Sequence, residues 1–267
     1  MASFLFWNVN KKDSIDLVCD IANDLKIDVV ILCENSIDKK ETLKKLQNSV
    51  CSEFHYPNAL PGKMQLFCRS RKLDLKEFYS GMRTSMRRLK IGKYVFLFGI
   101  VHLVDKRNFD ERYQLIEAKQ FADEVSQFEK QKNNQKTILV GDFNLNPFDP
   151  GMSMTSALNA QMTMECVTKG KRTIQGKDHP YFFNPMWSLM GERAFGPPGT
   201  FHHRQTTSGF PGWNMLDQVL IRPQALKWLG EVKILDTAGN TKLATKRGRP
   251  HRKYSDHFPI TFEIRNV

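Results

Sequence analysis

Five consecutive apolar residues, Val29-Val30-Ile31-Leu32-Cys33, run between Asp28 and Glu34 without a polar residue among them. Apolar–polar alternation would mark a strand wet on one face, whereas this unbroken, mostly β-branched run predicts a strand buried on both. Residues 3–9 read as a strand ahead of it. Between the two, Ile15, Val18, Cys19, Ile21, Ala22 and Leu25 recur at helical spacing, which predicts a helix over 13–25 capped by Asp13 or Ser14. A lysine-rich helix is expected around 39–48, then short β segments at 65–69, 73–79, 83–90 and 94–102, with Lys90-Ile91-Gly92-Lys93 as a hairpin turn. The clearest helix covers 110–130, and strands follow at 137–140, 215–221, 231–235 and 258–264.

Two stretches fit no regular element. Residues 165–214 mix glycine, proline, aromatic and basic residues, and 237–255 set Lys242, Lys246, Arg247, Arg249, Arg252 and Lys253 among glycines. Long irregular segments in compact chains are often functional loops. With no internal repeat and no linker, residues 1–267 read as one domain carrying an aromatic and basic insertion at about 165–214.

At 267 residues and 40% apolar content, the chain can bury a core without disulfides or a structural metal. Its five cysteines, Cys19, Cys33, Cys51, Cys68 and Cys166, are odd in number and never at C-x-x-C spacing, which suits a reducing compartment. Cys33 reads as a small core hydrophobe. The N-terminus lacks the basic flank and length of a secretory signal, and no apolar run approaches the ~20 residues of a membrane span, so the expected location is the cytoplasm. The net charge of +12 points to a polyanionic partner or an anionic membrane surface.

Chemistry-bearing side chains gather at strand ends. Asn8 follows Phe4-Leu5-Phe6-Trp7, Glu34 follows Cys33, His102 follows Val101, and Asp142 and Asn144 follow Val140-Gly141. Asp217 lies just inside a later strand, and Asp256-His257 precede Phe258. Singly, each has a plainer role: Asp142 and Asn144 could shape a turn, and a histidine on a strand is more often a satisfied core residue. Eight such residues at strand ends build one polar site if those strands lie side by side.

The ordered set Phe6-Trp7-Asn8-Val9, Ile31-Leu32-Cys33-Glu34, Val101-His102-Leu103, Val140-Gly141-Asp142-Phe143-Asn144, Leu216-Asp217-Gln218 and Ser255-Asp256-His257-Phe258-Pro259-Ile260 resembles the endonuclease/exonuclease/phosphatase superfamily, typified by pancreatic deoxyribonuclease and the exonuclease III-like repair enzymes. The resemblance runs from residue 4 to 265. It implies an α/β (α+β) fold, a four-layer α/β/β/α sandwich of two mixed β-sheets flanked by helices, with the site at one end.

It also implies roles. Glu34 and Asp256 would hold a divalent cation, Mg²⁺ or Mn²⁺, the hard ions that oxygen ligands favour. Asn8 would orient Glu34 or the phosphate, Asp142 would orient or deprotonate the attacking water, and Asn144 would donate to the phosphoryl oxygens. Asp217 would pair with His257, which would contact the scissile phosphate or move a proton. His102 matches a second active-site histidine of the deoxyribonuclease branch. Two departures bear on substrate: Asn10 stands where abasic-site endonucleases usually carry an acid, and Gln218 stands where inositol-polyphosphate 5-phosphatases carry Arg.

The expected activity is a metal-dependent phosphodiesterase, foremost a nuclease of little sequence specificity acting on DNA ahead of RNA. Arg69, Arg71, Arg83, Arg87 and Arg88, with the basic loop before Asp256, would neutralise backbone phosphates. Trp187 and Trp213 in the aromatic insertion could stack bases or wedge into a groove. The alternative is a phosphatase or phosphodiesterase acting on a small-molecule or lipid head-group phosphate ester.

Overall fold

A computed structural model of the chain describes residues 1–57, 60–69, 73–106, 108–192, 196–203 and 211–266. The first half supplies β1 (Ala2–Asn8), α1 (Ile15–Asp24), β2 (Val29–Cys33), α2 (Lys39–Ser49), β3 (Gln65–Cys68), β4 (Leu73–Ser80), β5 (Thr84–Ile91), β6 (Tyr94–His102), α3 (Glu111–Gln131) and β7 (Thr137–Asp142). One sheet runs in the order Leu229–Ile234, Ile260–Ile264, β1, β2, β3. The other runs β4, β5, β6, β7, Asp217–Ile221, Phe182–Phe183, Ala160–Gln161. Both are mixed: β1 lies parallel to β2 and antiparallel to Ile260–Ile264, and β7 lies parallel to β6 and antiparallel to Asp217–Ile221.

The period-2 geometry of the strands sorts their side chains into layers. Phe4, Phe6, Val29, Ile31 and Cys33 from the first sheet meet Phe96, Phe98, Ile100, Ile138 and Val140 from the second. On the outer face of the first sheet, Leu5, Trp7, Val30 and Leu32 pack with Val18, Ile21 and Ala22 of α1 and Leu46 of α2. On the outer face of the second, Leu97, Val101 and Leu139 pack with Ala118, Phe121 and Val125 of α3. The chain is therefore an α/β/β/α sandwich, and β2 shows no alternation because both of its faces are covered. Phe4 joins the sheets, stacked on Phe262 at 4.5 Å and meeting Phe98 at 5.4 Å. Burial of each such ring contributes ~1.5–3 kcal/mol.

The two irregular stretches hold short elements whose length leaves no periodicity to read. In 165–214 there are an exposed hairpin (Lys171–Ile174 with Lys177–Pro180), a 3-10 turn (Pro185–Leu189) and the pair Phe201–His203 with Gly212–Asn214. In 237–255 Thr237–Ala238 pairs with Thr241–Lys242. The expected cap of α1 also differs, because the Ser14 hydroxyl donates to Tyr254 O at 2.6 Å instead of capping. No helix among the described residues is long and apolar enough to cross a membrane.

Strand direction settles where the polar residues fall. β1, β2, β6 and β7 finish, and Asp217–Ile221 and Ile260–Ile264 begin, at one end of the sandwich, where Asn8 Nδ2 reaches Asp142 Oδ2 across the two sheets at 3.0 Å.

Candidate active site

The strands stop abruptly at this rim. Glu34 and Asn144 both have φ of +51°, and Asn10 and Lys11 have +44° and +59°. A left-handed conformation costs a non-glycine residue ~1–2 kcal/mol, and such residues tend to collect where function requires an awkward turn. Here the turns are tied to one another: Asn8 Oδ1 accepts from Asn10 N at 3.0 Å, and Lys11 N donates to Glu34 O at 2.9 Å. Gly141 serves a different need. A Cβ there would sit 1.9 Å from Val101 O, so only glycine lets β7 lie this close to β6 just before Asp142.

Asp142 is buried and held at both oxygens, with Oδ2 accepting from Asn8 Nδ2 at 3.0 Å and Oδ1 from Asn144 N at 2.9 Å. Beside it the Asp217 Oδ2 and His257 Nδ1 atoms are 2.8 Å apart, the acid fully buried and the imidazole nearly so. Ser255 and Thr200 fasten this pair to the frame. The Ser255 hydroxyl donates to Asn8 O at 2.6 Å and accepts from His257 N at 3.0 Å, while Thr200 Oγ1 accepts from Leu216 N and Asp217 N, each at 3.1 Å. Trp7 Nε1 donates to His257 O at 2.9 Å, and the Phe201 ring lies 4.9 Å from the imidazole.

The other half of the rim is looser. His102 Nε2 stands 3.8 Å from Glu34 Oε1 and 3.9 Å from Asp142 Oδ2, too far for hydrogen bonds. Among the described residues, nothing hydrogen-bonds the Glu34 side chain. Glu34 and His102 border a cleft of about 340 Å³ whose wall includes Lys11, Lys63, Met82 and Arg83. Behind Arg83, Glu117 of α3 lies 3.4 Å from its Nε and accepts from Val104 N at 2.8 Å; burial raises this carboxyl above the usual range.

Negative charge is in excess here. Burial opposes a charged His257, but the Asp217 carboxylate and its hydrogen bond, then Asp142 and Asp256, outweigh it and push the imidazole from 6.5 up to about 10. The Cys33 thiol on the inner face is pushed well up, first by burial and then by Asp142, Glu34 and Asp217. Asp217 itself is raised by burial despite His257, so the pair is best described as a buried acid that holds the proton on its histidine.

Several expected roles are altered by the geometry. Asn8 donates to Asp142, and no hydrogen bond joins it to Glu34. The Asn144 amide donates to Leu103 O at 2.8 Å, so one of its two hydrogens is committed to the loop after β6 and not to a phosphate. Gln218 is internal, donating to Leu145 O and Met215 O and accepting from Asn184 Nδ2. Arg87 is fully buried with its Nη2 2.7 Å from Glu77, because its place on β5 points it into the structure; it is removed from the substrate contacts. Arg69 lies at the opposite end, in a cleft with Met1, Lys26 and Asn266, since β3 runs antiparallel to β2 and carries it away from the rim. Arg88 pairs with Asp74 on neighbouring β4. Arg71 falls outside the described residues. Arg83 does reach the rim, its carbonyl accepting from His102 N.

Trp187 is half-buried beside Phe148 at 6.4 Å, and Trp213 is half-buried between Phe258 at 6.2 Å and His202 at 5.1 Å. Sequence reasoning passed over Lys11, Lys63, Glu117 and Thr200. Lys11 carried a signal, three residues beyond Asn8; Thr200 carried none, because its role is to hold backbone amides.

Asp142, Asp217 and His257 each offer a ligand atom, all within 4.8 Å of one another. That cluster, the surplus of carboxylates and the unsatisfied Glu34 fit a divalent cation bound through oxygen. Asp217 Oδ1 adds a buried oxygen without a hydrogen bond of regular geometry. A two-sheet sandwich with such a rim is consistent with phosphoesterase activity.

The chain matches the sequence profile of the Endonuclease/Exonuclease/phosphatase family over residues 5–257, and it belongs to that family. Among solved structures, a family protein from Bacteroides thetaiotaomicron superposes with a TM-score of 0.64 at 14% identity, covering 98% of this chain and 97% of that one. Truncated TDP2 from Caenorhabditis elegans does so with 0.57 at 18%, over 99% and 98%. The endonuclease domain of TRAS1, a telomere-specific non-LTR retrotransposon, gives 0.55 at 10%, over 100% and 99%. At these identities the likeness is one of fold, which many functions share. No curated protein matches the chain.

Proposed function

We propose that this protein is a divalent-cation-dependent phosphodiesterase that hydrolyses nucleic acid, DNA ahead of RNA, with little sequence preference. The observation that carries the reading is the join between the acid-rich rim and the open cleft walled by Lys11, Lys63 and Arg83. Cations beside an acidic reaction centre suit a ligand whose charge repeats along its length. The endonuclease named among the similar folds agrees with this.

Glu34 and Asp256 would hold the cation beside the Asp142, Asp217 and His257 cluster, because among the described residues the Glu34 side chain accepts no hydrogen bond, while Asp142 accepts at both oxygens and His257 Nδ1 contacts Asp217. When bound, Mg²⁺ or Mn²⁺ would polarise a phosphoryl oxygen and offset the charge that develops there. The chain's own groups do the rest. Asp142, fixed from two sides, accepts a proton from the attacking water and aims it. His257 has Nδ1 occupied and turns Nε2 to the scissile phosphate, stabilising charge or supplying a proton to the leaving oxygen. Asn8 and Ser255 keep these groups in register.

Labelled duplex DNA, single-stranded DNA and RNA incubated with the protein in Mg²⁺ or Mn²⁺ test the proposal. Cleavage that disappears with EDTA and in the His257→Ala variant is the expected result. A folded wild-type protein that cuts no polymer but hydrolyses small phosphate esters would overturn the nucleic-acid reading.

A further inference from the structure

Residues 237–255 contain six lysines and arginines and no Asp or Glu, so this short stretch accounts for half of the net charge of +12. Its position follows from the sheet. Ile234 pairs with Ile260 and Leu235 N donates to Pro259 O, so the chain leaves the first sheet at the end where Asn8 and Glu34 lie. It folds back as a hairpin closed by a bridge between Ala244 and Pro250, with Thr245 N donating to Arg249 O at 2.8 Å and Gly248 N to Thr245 O at 2.9 Å. The tip presents Lys246 and Arg247 exposed and Arg249 half-buried, around an open hollow of about 770 Å³ that His251 also borders.

The base of the hairpin is anchored to the reaction centre. Leu243 is buried and packs with Ala238 in the cluster under α1, Tyr254 O accepts from Ser14 Oγ, and His251 O accepts from Tyr254 N and Ser255 N. Ser255 is the residue that bonds both Asn8 and His257. Among the described residues, Lys246, Arg247, Arg249 and Arg252 make no ion pair with any carboxylate, while other surface cations, such as Lys45 with Asp16, do. A closed turn of cations without ion pairs among the described residues, its base joined to the reaction centre through Ser255, is built to meet an anion from outside.

We propose that the 244–252 hairpin is a second phosphate-contact site, gripping the backbone of a polynucleotide at a distance from the scissile phosphate, so that the enzyme favours long substrates over short ones. This deepens the nuclease reading and rests on it. Repeated phosphates are what a row of unpaired cations would select, and guanidinium groups suit phosphate best.

The test measures binding of a labelled duplex oligonucleotide in EDTA across a salt series, so that it does not depend on turnover. It compares wild type with Lys246→Ala/Arg247→Ala/Arg252→Ala, all exposed positions, and with Lys119→Ala/Lys130→Ala/Lys132→Ala, on α3 and at its C-cap, which removes the same charge from exposed positions elsewhere. The hairpin variant is expected to bind at least ~10-fold more weakly and to lose about 1 unit of log–log salt slope per cation removed, with the α3 variant near wild type. Hydrolysis of bis-p-nitrophenyl phosphate should be unchanged in both. Equal weakening in the two variants, or none in the first, would overturn the hairpin site whether or not the wild type cuts DNA. So would binding to phosphatidylserine vesicles that is lost in the hairpin variant while duplex binding is kept. Failure of the wild type to cut any polymer, with hairpin-dependent binding intact, would instead remove the nuclease activity and leave the polyanion site standing.

Discussion

Two acid–base pairs among the described residues are buried, Arg222–Glu129 away from the rim and Asp217–His257 within it, both with a 2.8 Å contact and both nearly inaccessible. Their surroundings differ. Arg222 donates to both oxygens of Glu129 and to the carbonyls of Pro180 and Tyr181, and its guanidinium lies 3.7 Å from the centre of the Phe182 ring. Glu129 also accepts from Thr137 Oγ1 at 2.6 Å, which ties the end of α3 to the start of β7. Every charge there is answered by the fold. At the rim, Asp217 keeps an oxygen without a well-formed bond, and Asp142 adds like charge to an already acidic corner. A pair completed by the protein stabilises the fold, whereas a pair left in excess charge is poised to act on something from outside.

Replacing each acid by its amide separates these cases. Asp217→Asn keeps the shape but removes the charge that holds the His257 proton, and turnover should fall by ~10²–10⁴-fold. The melting temperature at neutral pH should fall less than when a buried arginine loses its acid, because His257 can release its proton once the Asp217 charge is gone. The pH behaviour gives a second readout. His257 is raised from 6.5 to about 10, so its contribution to wild-type stability is fully present below pH 6.5 and is lost as pH rises through 10. In Asp217→Asn that alkaline loss should flatten in thermal melts taken across this range. An unchanged turnover, or an alkaline limb identical to wild type, would mean the pair is structural after all.

Glu129→Gln should do the reverse. It leaves the Arg222 guanidinium buried without its counter-charge, which costs ~3–5 kcal/mol in comparable cases. Denaturant unfolding should show that loss, while turnover per folded molecule stays at the wild-type value. A fall in turnover at a temperature where the variant is folded would show that α3 transmits to the rim, and the two ends would no longer be separable.

The difference between the two pairs also explains what could be read from the chain. The rim was legible because its residues are placed by strand ends: a buried run such as Val29 to Cys33 has to finish, and it finishes at Glu34. Periodicity likewise located α1, α3 and the inner strands. Arg87 misled because alternation along β5 alone does not say which face is covered, and in the fold that face lies inside. Arg222–Glu129 was invisible because its partners are 93 residues apart and belong to no motif. Asn144 was placed correctly at the rim, but the direction of its amide depends on Leu103 O, a contact that exists only once β6 and β7 are side by side.

The smallest expected effect concerns the fastening of the rim itself. Ser255 is buried, and its single oxygen serves two masters, donating to Asn8 O and accepting from His257 N. Ser255→Ala strands both backbone groups and should cost ~1–3 kcal/mol in unfolding free energy. Since Asn8 donates to Asp142 and His257 is proposed to face the phosphate, turnover should also fall, by about tenfold, a loss of ~1.4 kcal/mol in transition-state stabilisation. KM for a polymer should hold, because the cations of the cleft and of the hairpin tip are untouched. Steady-state kinetics and a denaturant melt on the same preparation decide the matter. Lower stability with full turnover would show that the rim tolerates slack and that Asp217–His257 alone sets its geometry. Loss of both would show that the site end relies on backbone fastening for the order that the Arg222–Glu129 pair supplies through charge.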